Sequence, residues 1–144
     1  LAEYIQAQLR EFGIVLKIDV MKGSVLSEAI ANNKIVLFRK SWVADYADEE
    51  NFLSLMYSKN ASPKGFNYTH FNNPQFDLLY EKALHEKNDS VRRNYYQQMD
   101  QLIIDNAPIV PLYYDEVVRL VQPNISGLAT NAMNVLILKN VKKN

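Results

Sequence analysis

Cysteine is absent from this 144-residue chain. Disulfides, thiol nucleophiles and cysteine-ligated zinc are therefore excluded. The lack leaves the compartment open. Glycine is scarce, at four residues, and no glycine-rich phosphate loop or GxSxG elbow occurs. Only two histidines are present, His70 and His85, with no HExxH or EF-hand spacing around them. No metal site is expected from such a set. No cofactor is expected either. Net charge is lacking too, because 16 Lys+Arg balance 16 Asp+Glu. A nucleic-acid binder needs a basic face for the phosphates, so no nucleic-acid partner is expected. No apolar run approaches the roughly 20 residues that span a bilayer, and no signal peptide is visible.

What is present is a core-forming composition, 48% hydrophobic and 11% aromatic. That excludes a disordered chain. The chain starts at Leu1 rather than Met, inside what reads as a helix. This reads as a processed chain or an excised fragment.

Local patterns predict an alternation of helices and strands. Residues 2–12 place Ile5, Leu9 and Phe12 on one helical face, with Gly13 at the C-cap. Ile14, Leu16, Ile18 and Val20 alternate as in a half-buried strand. Ser24 is read as the cap of a short helix through about Asn33, and residues 35–40 as a buried strand. A helical turn or two is expected over 52–57, then a long polar loop over 58–73. Asn73-Pro74 signals a helix start, with Phe76, Leu79, Tyr80 and Ala83 facing inward. Asp89 or Ser90 is expected to cap the next helix, which carries Tyr95, Met99, Leu102 and Ile103 inward to about Asn106. Residues 109–123 read as a strand and its return, with Pro111 arguing for an edge. Residues 135–139 read as a last strand. The order implies an α/β sheet. The strand that should precede the first helix is missing.

The densest chemistry lies in 41–52, Ser-Trp-Val-Ala-Asp-Tyr-Ala-Asp-Glu-Glu-Asn-Phe, which holds the only tryptophan. Asp48, Glu49 and Glu50 read as the acidic first turn of a helix, where they favour the positive dipole end. Trp42 alone reads as core. Trp42 paired with Asp45 reads differently. An indole and a carboxylate at a strand end suit a ligand carrying an ammonium group on an extended backbone. Strand ends of open α/β sheets are where ligands bind. Glycosidase chemistry needs two carboxylates from separate segments, whereas these acids crowd into one.

Several motifs occur in order. Trp42-x-x-Asp45-Tyr46 precedes Asn51-Phe52-Leu53. Asn67-Tyr68-Thr69 precedes Asn72-Asn73-Pro74-Gln75-Phe76-Asp77. Ala107-Pro108-Ile109-Val110-Pro111-Leu112-Tyr113-Tyr114 and the Gly127 tail follow. This set resembles the C-terminal portion of family 5 extracellular solute-binding proteins, the peptide-, dipeptide- and nickel-binding components of ABC importers. The resemblance covers Leu1 to Lys143.

The resemblance implies a periplasmic-binding-protein-like type II lobe, a mixed sheet flanked by helices, cut from a two-lobed protein. Residues 1–122 would be most of the second lobe, lacking its first strand. Residues 123–144 would be the crossover and a C-terminal strand belonging to the first lobe. The implied protein is periplasmic, or extracellular and lipid-anchored, in a bacterium. Its partners would be a peptide ligand, the importer's permease and the remainder of its own chain. Lobe closure would be favoured by ligand. By the same resemblance, Asp45 would pair with a peptide α-ammonium, Trp42 would line the pocket, and Arg39 would meet a peptide carboxylate. Family members also bind nickel complexes, haem and sugars. The chief alternative keeps the fold as a cytoplasmic ligand sensor of a transcription regulator. An enzyme using Asp45 and a second carboxylate is the third class.

Overall fold

The computed structural model describes residues 1–131 and 133–144. It divides into two units, Leu1–Val36 and Leu37–Asn144.

The first unit holds helices α1 (Ala2–Glu11) and α2 (Gly23–Ala31). Each is followed by a left-handed residue, as expected after α1 at Gly13, whereas α2 stops at Ala31, short of the expected Asn33. Gly13 has φ 76° and Asn33 has φ 54°. After α1, Gly13 N–H donates to Arg10 C=O and Ile14 N–H to Leu9 C=O. After α2, Asn33 N–H donates to Ile30 C=O and Lys34 N–H to Ala29 C=O. This paired closure satisfies carbonyls that the helix ends leave free. Ser24 does not cap α2. The N-cap is Lys22, with no side-chain bond, and Ser24 lies inside the first turn. The helix thus starts two residues earlier than the serine reading places it.

The second unit is built on α3 (Glu50–Leu53), α4 (Pro74–His85) and α5 (Asp89–Asn106). Two short 3-10 turns, Ser54–Met56 and Ser58–Asn60, continue from α3. Asn73 caps α4 as expected, accepting from the N–H groups of Gln75 and Phe76. The cap of α5 is Asn88, ahead of both expected residues, Asp89 and Ser90, and it accepts from Ser90 and Val91 N–H. Asp89 instead sits in the first turn, where its charge suits the helix dipole. The left-handed Ala107 and then Pro108 end α5.

These helices bury one apolar cluster: Leu53, Met56, Phe76, Leu79, Tyr80, Ala83, Tyr96, Met99 and Ile103. Phe76 and Met99 are fully buried. Each such side chain contributes about 1.5–3 kcal/mol on removal from water. The four inward residues expected of α4 are all buried. On α5 the face is turned by one position, so Tyr96 is buried and Tyr95 packs at the edge.

The long polar loop is organised by Asn67, which is fully buried. Its amide nitrogen donates to the carbonyls of Tyr57 and Phe71, and its Oδ1 accepts from Thr69 Oγ1 and Phe71 N–H. Its backbone N–H donates to Asn60 C=O, and its carbonyl accepts from Ser62 N–H. Phe66 and Tyr68 flank this buried residue.

The expected strands at 14–20, 35–40, 109–123 and 135–139 form no ladder among the described residues. Most of their apolar side chains stand exposed, Val36, Tyr114 and Leu120 almost completely, while Leu16, Ile18, Ile35 and Phe38 are half-buried. The physical reason is pairing: an extended segment cannot satisfy its own N–H and C=O groups, and no described strand runs beside these. The one sheet among the described residues is β1 (Ile125–Ser126) antiparallel to β2 (Lys142–Lys143). Gly127 follows β1 with φ 80°, where a Cβ would stand 2.0 Å from Asn140 C=O. Only glycine fits there.

Candidate functional site

The segment 37–49 carries no regular element. It is fixed at its C-terminal end by its acids. Asp48 Oδ1 accepts from Glu50 N–H at 2.9 Å and from Tyr96 Oη at 3.1 Å. Its Oδ2 accepts from Arg92 Nη1 at 2.9 Å. Arg92 and Tyr96 lie four apart on α5, on one face of the helix. The Glu50 N–H, aided by Tyr96 and Arg92, holds the Asp48 carboxyl below the usual aspartate value. Tyr96 is pushed up to about 12 by burial and by the Asp48 charge.

Glu50 ties a second helix. One carboxylate oxygen accepts from Tyr80 of α4 and the other from Tyr46. Burial, then Glu50, raises the Tyr80 phenol. The Glu50 hydrogen bond raises that of Tyr46. Asp48 and Glu50 are therefore more than first-turn acids: they clamp α3 to α5 and α4. Glu49 is exposed, and its charge raises Asp100 after burial has done so.

Trp42 is half-buried. Its Nε1–H donates to Asn51 Oδ1 at 2.7 Å, and its ring meets Phe66 at 5.2 Å between centroids, tilted by 56°. Lys40 Nζ lies 3.8 Å from the centre of the Tyr68 ring, a cation–π contact. Arg39 is exposed and donates from Nη2 to Tyr113 Oη at 2.8 Å. Asp45 is exposed, and its side chain makes no hydrogen bond or ion pair among the described residues.

Arg39, Trp42 and Asp45 stand on one short segment, yet no hydrogen bond or ion pair joins their side chains among the described residues. Of what surrounds them, the sequence pointed to Tyr46 and the 64–71 loop without naming single loop residues. Asn51 and Phe66 meet Trp42, Tyr113 meets Arg39, and Lys40 lies over Tyr68 beside them. The i, i+4 spacing of Arg92 and Tyr96 is the one signal that could have exposed the Asp48 clamp. Asn51 and Phe66 meet Trp42 across 9 and 24 positions, and no local pattern encodes such contacts. The described residues contain no group of three or more His, Asp or Glu suited to a metal. No described helix is long and apolar enough to cross a membrane.

No family model matches the chain. Individual proteins do. The dipeptide-binding protein DppE of Bacillus subtilis is 29% identical over 145 residues, covering the whole chain and 26% of DppE. An Escherichia coli protein named "Probable deoxycholate-binding periplasmic protein YgiS" is 29% identical over 80% of the chain and 21% of its own length. Among solved structures, a dipeptide-binding protein from Pseudoalteromonas sp. SM9913, in complex with Met-Leu, superimposes with a TM-score of 0.76 at 27% identity. That match covers 99% of this chain and 28% of the other. The chain spans about a quarter of the length of these relatives. The folds matched are two-lobed periplasmic binding proteins, which bears out the expected lobe even though its sheet is unpaired in this chain. In sequence and in fold the chain is similar to a part, about a quarter of the length, of periplasmic peptide-binding proteins, in line with the resemblance to the C-terminal portion of family 5 solute-binding proteins.

Proposed function

We propose that this chain is part of the substrate-binding component of an ABC importer, taking peptides in a cleft between two lobes and handing them to a membrane permease. Residues 1–122 belong to the second lobe and 123–144 to the crossover and the first. The protein is non-catalytic and works in the periplasm or outside the cell, free or lipid-anchored.

One observation carries the reading. Of the acids at 45, 48 and 50, two are committed to internal bonds, while Asp45 is exposed and free to pair. Its carboxylate takes the α-ammonium of the peptide, Trp42 packs beside the first residues, and Arg39 leaves Tyr113 to meet a carboxylate. Closure strengthens the charge pair by removing water. The likeness to a protein solved with Met-Leu supports a peptide ligand.

A second reading, a steroid-like amphipathic acid, has the likeness to YgiS in its favour. The experiment separates them. Full-length protein is purified gently, and the ligand is released by denaturation and weighed by native mass spectrometry. Short peptides are expected. A co-purified steroid acid or metal complex would keep the fold and overturn the substrate.

A further inference from the structure

The indole N–H is a donor only, and a half-buried one needs an acceptor. For Trp42 that acceptor is Oδ1 of Asn51, which is itself buried, at 4% exposure. Buried asparagines are uncommon and need hydrogen-bonded company.

Asn51 is held firmly. Its N–H donates to Asp48 C=O, and its carbonyl accepts from Ser54 Oγ at 2.9 Å. It stands on the four-residue α3, next to Glu50, whose carboxylate receives Tyr80 of α4. Two residues before Glu50, Asp48 receives Arg92 and Tyr96 of α5. A continuous series of bonds therefore runs from α4 and α5, through the two acids, to Asn51 and on to the edge of the indole. Phe66 meets the ring as well.

We infer that Asn51 is a positioning residue for ligand binding, fixing the orientation of the Trp42 indole and with it the segment that presents Asp45. This rests on the reading that Trp42 and Asp45 face the ligand. Asn51 itself, being buried, acts through Trp42 and not on the ligand.

The test is a double-mutant cycle in the full-length protein. Peptide affinity is measured by calorimetry for wild type, Asn51→Ala, Trp42→Phe and the double variant, each well below its own melting temperature. Asn51→Ala is expected to weaken binding about tenfold in the wild-type background, the scale of one unsatisfied buried donor. In the Trp42→Phe background, which has no indole N–H, the same change is expected to cost no more than about twofold. Equal losses in both backgrounds, or no loss in either, overturn the proposal. The Trp42 indole resonance, assigned with Trp42→Phe, supplies a ligand-free reading. It is expected to move upfield in Asn51→Ala, and an unmoved resonance overturns the proposal too. Should wild type bind no peptide, the peptide reading falls, and the indole resonance alone decides the role of Asn51.

Discussion

Asp48 and Arg92 meet at 2.9 Å across 44 residues of chain, joining the end of the Trp42 segment to helix α5. Three positions earlier, the Asp45 side chain makes no hydrogen bond or ion pair among the described residues. Two aspartates of one short stretch thus differ, one bonded into the fold and one exposed, and it is the second that the proposed function gives to the ligand.

That division can be measured. Asp48→Ala is expected to cost about 1.5–3 kcal/mol of stability, the range for hydrogen bonds to a charged group. Asp45→Asn is expected to leave stability within about 0.5 kcal/mol, as for an exposed side chain away from structural features. Denaturant titration of both variants checks this. A large loss of stability in Asp45→Asn would remove the free-carboxylate account.

Acid dependence follows from the lowered Asp48 value, and its sign is fixed by linkage. A depressed folded pKa stabilises the folded state above the unfolded value, about 3.9 for aspartate. That stabilisation disappears as pH falls from there through the folded pKa. The melting temperatures of wild type and Asp48→Ala are expected to differ most near neutrality and to converge below about pH 4. A gap independent of pH would contradict the assignment.

The α4–α5 core sets the stability of the second unit. Phe76 is fully buried, so Phe76→Ala is expected to cost about 3–5 kcal/mol. Removing the Asn73 cap of α4 by Asn73→Ala is expected to cost about 1 kcal/mol. Equilibrium unfolding of the two variants ranks them, and a cap loss exceeding the core loss would be inconsistent with this core.

Helix ends and helix faces were legible in the sequence because their signals are local. Gly13, Asn73 and Ala107-Pro108 each mark a boundary through the conformation or hydrogen bond of that residue alone. Phe76, Leu79, Tyr80 and Ala83 recur at helical spacing and share one buried face. The strands were legible as patterns and yet do not pair, because alternation records which face is meant for burial and does not supply a neighbour. Asp45, Trp42 and Arg39 came from a motif. Asn51, Phe66 and the Asp48 clamp did not, since they depend on contacts between distant segments.

Unpaired strand segments have a kinetic signature. In the 144-residue chain, amides over 109–121 are expected to exchange with solvent far faster than those of α4 and α5, because no ladder protects them. In the full-length protein the same amides are expected to become protected. Equal, fast exchange in both would mean that these segments never enter a sheet.

The central claim is that Asp45 receives the α-ammonium of a bound peptide. Calorimetry on the full-length protein tests it most directly, comparing one tripeptide with its N-acetylated form against wild type and Asp45→Asn. Acetylation is expected to weaken binding to wild type by about 1.5–3 kcal/mol and to change little in Asp45→Asn. An equal acetylation penalty in both proteins would contradict the account.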